Sequence, residues 1–218
     1  MCFSATASFV AAGFTGMVGV ITMTRATRKS EFPVAAMPCV FAVQQAIEGA
    51  LWLTLPHGGD GAAATMLPLA FLLFAEPFWP VFAPIAALLL ETDRKRRQMM
   101  LGCAAVGICV SAYLLWSILT RTHGAMIQDG HIMYLTDHRS SEWIGLAYLA
   151  ATGLPFLLSS RRAVSALGAI LLVGSFTAYV FYWEFYVSVW CFFAAVGSVV
   201  LLAHFEHARR GRQRLAGA

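Results

Sequence analysis

Long apolar runs, separated by short polar and basic turns, dominate the pattern of this chain. Seven of the runs approach the roughly 20 residues that a helix needs to cross the hydrocarbon core of a bilayer. The pattern therefore predicts an all-α, polytopic membrane protein in which residues 1–218 form one domain of seven transmembrane helices. The predicted helices are Ala5–Met23, Pro33–Leu55, Ala64–Leu90, Met99–Leu119, Trp143–Leu158, Val164–Tyr182 and Tyr186–His204.

The composition agrees with this interpretation. Hydrophobic residues make up 59% of the chain and charged residues 12%, whereas about 25% of a typical soluble domain is charged. The sequence predicts no removable signal peptide, because no basic region precedes the first apolar run. The net charge of +4 does not indicate nucleic-acid binding, since the basic residues lie in short loops rather than along one face.

The basic residues also predict an orientation. Of the 15 Lys and Arg residues, all but Arg121 and Arg139 follow the first, third, fifth or seventh helix, and these four helices end on the same side. Short loops rich in Lys and Arg stay in the cytoplasm. We therefore expect a multi-pass protein of the cytoplasmic membrane with its N-terminus outside and its C-terminus inside. The non-helical segment 120–142 is then external and long enough to cover the outer mouth of the bundle.

The order of the helices suggests a three-plus-one-plus-three repeat. Trp79 in the third helix and Trp190 in the seventh begin similar stretches, WPVFAPIAALLL and WCFFAAVGSVVL. The repeats would span residues 4–97 and 142–212, joined by a linker helix at 99–119. The linker restores the orientation, so the repeats would be parallel, with a substrate site expected where they meet near the middle of the membrane. Chance similarity between apolar helices is the alternative.

One face of the second helix is polar. Gln44, Glu48 and Trp52 recur every four residues, so they share a face of the helix. Ionisable side chains within a membrane span are rare and usually functional. This face could line a ligand pocket, or it could supply a hydrogen bond that only holds two helices together.

The third helix contains the stretch FAEPFWPVFAP, in which Glu76 precedes three prolines. Each proline lacks the N–H that an α-helix requires, so it kinks the helix and leaves a carbonyl group in need of another partner. Interrupted helices bind substrates in many transporters. A permanently bent helix, with Glu76 facing a water-filled vestibule, would give the same pattern.

These features lead to a first functional hypothesis, a pocket between helices two, three, six and seven that binds or transports a small molecule. Gln44 and Glu48 would contact a polar or cationic group of the ligand. Beyond the lipid bilayer and this ligand, the sequence predicts no partner. The remaining predicted binding residues are Trp52, Glu76, Trp79, Tyr179 and Trp190.

A second hypothesis is a thiol- or metal-dependent membrane enzyme. Removal of Met1 would leave Cys2 with a thiol and an amine together, a pair that can act as a nucleophile or a chelate. His131, Asp137 and His138 are weak candidate metal ligands of the outer segment, because none has a tight ligand spacing and the pattern favours a solvated loop. A structural subunit of a larger complex is the third hypothesis.

The sequence leaves the cofactor open except for one exclusion. The only lysines, Lys29 and Lys95, lie in the basic turns. No predicted span contains a lysine, so a retinal Schiff base is excluded.

Four motifs carry a resemblance that extends over nearly the whole chain: MCFSATASF at the N-terminus, QQAIEGALW, FWP and SVWCFFAA. They resemble an uncharacterised bacterial family of multi-pass membrane proteins with no known activity. The resemblance draws attention to Cys2, Ser4, Glu48 and Trp190, which lie in those motifs. The seven-helix, three-one-three layout also looks like that of the sugar and PQ-loop transporters, although the Pro-Gln dipeptide of that class is absent.

Overall fold

The computed structural model describes residues 4–57, 62–136, 142–181 and 186–216. These residues are mostly helical, and every predicted apolar run coincides with helical structure. The third predicted helix is divided by a π turn at Phe74–Phe78. The helices are α1 (Ala5–Arg25), α2 (Phe32–Thr54), α3 (Ala62–Leu73), α4 (Trp79–Leu90), α5 (Arg94–Thr120), α6 (Glu142–Leu157), α7 (Arg162–Phe181) and α8 (Tyr186–Ala216).

Within the residues that the structure describes, four helical segments are long and apolar enough to cross a membrane: Ala5–Arg25, Lys29–Thr54, Thr65–Leu90 and Arg94–Thr120. Much of their apolar surface faces outward. Exposed side chains include Phe14 and Met17 on α1 and Ile108 and Trp116 on α5. Soluble monomers rarely expose large continuous apolar patches, so this surface is typical of a protein surrounded by lipid.

Polar side chains set the starts of two of these helices. Ser4 caps α1, because its hydroxyl accepts a hydrogen bond from the Ala7 amide at 3.2 Å. Asp93 caps α5 in the same way, accepting from the Arg96 amide at 2.9 Å. Both side chains satisfy amides that the first helical turn leaves without a partner.

The segment between α5 and α6 is non-helical, as expected, but it contains strands that the all-α prediction did not include. An antiparallel hairpin lies there, formed by β1 (His123–Gln128) and β2 (His131–Thr136). Its two-residue turn, Asp129-Gly130, has positive φ angles of 50° and 73°. Two-residue turns of this kind match the twist of paired strands, and Asp-Gly is one of the sequences that favour them.

The hairpin covers one end of the bundle, as expected for this segment. Ile132 is 1% exposed and belongs to the hydrophobic core. The ring of Tyr134 stacks on Phe71 of α3, with the centroids 4.5 Å apart. We call this the hairpin end, and the opposite end, where α4 ends and α5 begins, the basic end.

Two pairs of helices that are consecutive in the chain pack side by side. In the first, α1 lies along α2 and also contacts α8; in the second, α6 lies along α7 and also contacts α4. The helix α5 packs against α4 and α6. Gly107 of α5 makes this approach possible, because its backbone lies directly against the carbonyl oxygen of Pro80 and leaves no room for a Cβ atom.

Candidate functional site: a buried polar cluster on α2

Three polar side chains on two successive turns of α2 lie inside the apolar core. Gln44 and Gln45 are each 1% exposed and Glu48 is 0% exposed. Their neighbours in the core are hydrophobic, including Phe41 and Leu51. Burying polar groups among apolar side chains costs free energy unless they form hydrogen bonds. Their hydrogen bonds therefore show whether the three side chains only stabilise the fold or leave polar groups available to a ligand.

Gln44 is bound to Trp79 of α4. The indole Nε1 of Trp79 donates to Gln44 Oε1 at 2.9 Å, and the indole is 1% exposed. The indole ring also stacks on Phe41 at a centroid distance of 4.8 Å and meets Phe82 edge to face. The predicted residues Gln44 and Trp79 thus come together, and they join α2 to α4.

Glu48 is paired with Gln45, its neighbour one turn earlier. The amide Nε2 of Gln45 donates to Glu48 Oε2 at 3.2 Å. The other end of the same amide, Oε1, is buried and has no hydrogen-bond partner among the described residues. A buried acceptor without a hydrogen bond costs free energy, which a hydrogen bond from water or a ligand would recover.

Two further buried polar atoms, one on α2 and one on α1, lack partners within the described parts of the chain. They are Trp52 Nε1, one turn beyond Glu48, and Ser8 Oγ on α1. The two helices meet at this level, since the ring of Phe9 packs against Gly49. We refer to Ser8, Gln45, Glu48 and Trp52 as the polar cluster. It offers an amide oxygen, an indole N–H and a hydroxyl in addition to the carboxyl group.

The bend in the third predicted helix is braced by neighbouring helices. Tyr148 of α6 donates its hydroxyl to the Ala75 carbonyl at 2.6 Å, and Ser111 of α5 donates to the Pro77 carbonyl at 2.6 Å. The protein thus supplies side-chain donors to two carbonyl groups of the proline-containing segment. Glu76 lies within the π turn and is half-buried.

A small cavity adjoins Trp79. It has a volume of about 20 Å³ and is lined by residues of five helices, among them Met37, Phe41, Thr152 and Ser198. This volume holds about one water molecule, whereas pockets for small organic ligands usually measure several hundred Å³. The space lies where α2, α4, α6, α7 and α8 meet. Binding of a larger ligand there would require the helices to separate.

Several predicted residues fall outside the described parts of the chain. Cys2, Asp137 and His138 are among them, and for Tyr179 and Trp190 the description covers the backbone, in α7 and α8, but not the side chains. His131 begins β2, with its Nδ1 atom 2.8 Å from the Asp129 carbonyl oxygen. Among the described residues, no three His, Cys, Asp or Glu side chains are grouped closely enough to hold a metal ion.

Sequence reasoning missed Ser8, although the sequence contains a signal for it. Ser8, Thr15 and Thr22 follow one another at seven-residue spacing, and all three are 0% exposed. Thr15 and Thr22 donate to carbonyl groups of their own helix, at 2.7 and 3.0 Å. A row of small polar residues on one face therefore marked the side of α1 that is turned into the bundle.

The family model of DUF6629, a family of unknown function, matches residues 1–216. The chain belongs to this family, which confirms the expectation of an uncharacterised family covering nearly the whole sequence. No curated protein and no solved structure matches the chain.

Proposed function

We propose that this protein is a seven-span protein of the cytoplasmic membrane that binds and transports a small molecule through the region of the polar cluster. The proposal rests chiefly on the buried Gln45–Glu48 pair and on the Gln45 Oε1 atom that no described residue satisfies. Polar groups that are placed inside a membrane bundle at such cost generally contact substrates or ions.

Two features support the proposed topology. The helices α1, α4 and α6 end on one side of the bundle, and basic residues follow each of them. Arg121, which follows α5, is one of two basic residues expected on the other side. Loops with this asymmetry are retained in the cytoplasm, so the N-terminus would be external and the hairpin would cover the outer mouth.

The chemistry of the cluster favours a ligand that carries a positive charge and N–H donors. The amide oxygen of Gln45 and the carboxyl group of Glu48 both accept hydrogen bonds. The sequence contains no Lys or Arg between Lys29 and Arg94, so α2, α3 and α4 carry no Lys or Arg side chain that would pair with an anion. Trp52 adds an aromatic face, which attracts cations. A small amine is the ligand class that fits these groups best.

Uptake of radiolabelled amines by proteoliposomes tests this proposal. Methylammonium and ethanolammonium serve as probes, and acetate as the anionic control. The ammonium group of a bound amine and the Glu48 carboxylate would form a buried, hydrogen-bonded pair of charges. Removing one partner from such a pair costs about 2–5 kcal/mol. Glu48→Gln keeps the shape of the side chain. At amine concentrations below saturation, we expect it to reduce the rate of uptake more than about tenfold.

The matched control is Glu142→Gln, which removes an exposed carboxylate at the start of α6. It should transport amines at the wild-type rate. The proposal is rejected if Glu48→Gln, eluting as a monodisperse protein, takes up both amines as fast as the wild type. It is also rejected if the wild type takes up neither amine faster than empty liposomes.

A further inference from the structure

Charged side chains at the basic end connect the first and second halves of the chain, residues 4–97 and 142–212. Arg25, the last residue of α1, forms an ion pair with Glu206 of α8 at 2.8 Å. Arg212, one and a half turns later in α8, donates to the carbonyl oxygen of Arg25 at 3.1 Å. The end of α1 is therefore held by two residues of the last helix.

Glu91 makes the second connection. It follows α4, is 2% exposed, and accepts hydrogen bonds from the Ser160 amide at 2.6 Å and the Ser160 hydroxyl at 2.8 Å. Burial alone would raise the pKa of this carboxyl group, but hydrogen bonds from Ser160, Asp93 and Thr92 outweigh burial and lower the pKa to about 2. The carboxylate is thus ionised and bound at neutral pH.

A third connection joins the start of α2 to the α6–α7 loop. Arg161 lies 3.7 Å from Glu31, whose carboxylate also accepts a hydrogen bond from the Thr27 amide at 3.0 Å. In the same region, the guanidinium group of Arg96 donates to the Leu158 carbonyl. Together these contacts join four chain segments of the basic end in a row: α8, the turn between α1 and α2, the α6–α7 loop and the turn between α4 and α5.

Two of the connections are reciprocal. Glu91 follows the third apolar segment and binds the loop after α6, whereas Glu206 lies in α8 and binds the end of α1. The packing follows the same rule, since α4 contacts α6 and α8 contacts α1. In each half, an acidic residue thus binds the other half. Glu206 binds the end of the first helix of the first half, and Glu91 binds the loop that follows the first helix of the second half. This relation is expected if the halves are repeats that move as two units.

The polar cluster lies toward the opposite end. Glu48 is about 9 Å from the end of α2, at 1.5 Å per residue, and about 25 Å from Glu31. At the hairpin end the cover is apolar, consisting of Ile132 and Tyr134 packed on the bundle. The two ends are therefore closed by different chemistry.

We infer that Arg25–Glu206, Glu91–Ser160 and Glu31–Arg161 form a latch between the halves, which closes the polar cluster toward the basic end and must open for a ligand to leave on that side. This inference rests on the proposed function in one respect, because only a transported ligand needs a path to the basic end. The latch itself exists or fails without any ligand, because it concerns only the access of solvent from the basic end.

Thiol labelling measures this access. Ser198→Cys places a reporter beside the small cavity near Trp79, and a charged, membrane-impermeant maleimide is added to each side of sealed vesicles in turn. Mass spectrometry of the labelled peptide separates the reporter from the five native cysteines. In the Ser198→Cys parent, we expect slow labelling from the basic side.

Adding Arg25→Gln and Glu91→Gln to the parent removes two connections of the latch. Labelling of the reporter from the basic side should rise about tenfold or more, because the open state becomes more populated. Arg94→Gln is the matched control. It removes a charge that is exposed at the same end, and it should leave the labelling rate unchanged.

A second reporter separates opening from unfolding. Ile132→Cys lies in the hairpin, where the side chain is buried beyond the polar cluster, and its labelling from the basic side should remain slow when the latch opens but rise when the bundle unfolds. The inference is overturned if the double variant labels Ser198→Cys as slowly as the parent does, or if both reporters become equally reactive from the basic side. Either result would leave the amine-uptake test unaffected.

Discussion

Gly107→Ala is expected to prevent the protein from folding to a stable bundle. A Cβ atom at this position would overlap the carbonyl oxygen of Pro80, which belongs to the backbone and has no rotamer that moves it away. Pro77, Pro80 and Pro84 restrict the path of that backbone. Inserting atoms into a packed core costs about 1–3 kcal/mol when side chains can adjust. Here the cost should lie above that range.

Gly102→Ala is the matched control for this prediction. Gly102 occupies the same helix, is exposed, and has no atom within 4 Å of the position that a Cβ atom would take. Replacing a glycine inside a helix by alanine usually stabilises the helix by roughly 0.5–1 kcal/mol. Thermal unfolding in detergent, followed by size-exclusion chromatography, compares the two. Equal stability of both variants would show that α5 does not approach α4 as closely as described.

Trp79→Ala should produce the second-largest effect. The indole is almost fully buried, stacks on Phe41 and donates a hydrogen bond to Gln44. Truncating a buried aromatic side chain costs about 3–5 kcal/mol. The variant also removes the hydrogen bond that the indole N–H donates to Gln44 Oε1, and a hydrogen bond of this kind contributes roughly 0.5–1.5 kcal/mol.

Two control variants separate the contributions to the loss of stability that is expected for Trp79→Ala. Trp79→Phe keeps an aromatic ring but removes the donor, so it should cost less than the alanine variant and more than a surface change. Trp116→Ala removes a tryptophan that is 55% exposed on α5 and should change the melting temperature little. If Trp79→Ala unfolds at the same temperature as Trp116→Ala, the contact between α2 and α4 is not the one described.

The apolar segments were predictable because a membrane-spanning helix needs a long continuous run, which one sequence displays directly. The hairpin was missed because the same search passes over short strands. Its signal was nevertheless present, since Asp129-Gly130 lies between segments rich in β-branched and aromatic residues, including Ile127, Ile132 and Tyr134.

The candidate site was only partly predictable. Spacing placed Gln44 and Glu48 on one helical face, but it could not show that Trp79, 35 residues away, binds Gln44. The four-residue spacing leaves out Gln45, although its amide is the group that contacts Glu48. Such pairings depend on how helices are rotated and staggered against each other, which tertiary packing decides.

The latch was hidden for a different reason. The basic turns were interpreted only as signals of orientation, because exposed Lys and Arg residues are common at the cytoplasmic ends of helices. Their acidic partners, Glu31, Glu91 and Glu206, are distant in sequence from the groups that they bind. One sequence does not show which acidic residue meets which loop.

Native mass spectrometry tests the central claim, that the polar cluster binds a small cation, most directly. Wild-type protein and Glu48→Gln are each incubated with the small-molecule fraction of a cell extract and then transferred intact into the spectrometer. The account predicts that the wild type carries one positively charged compound per chain and that Glu48→Gln, with the same helical content, carries none. An unoccupied wild type, or equal occupancy of both proteins, would contradict it.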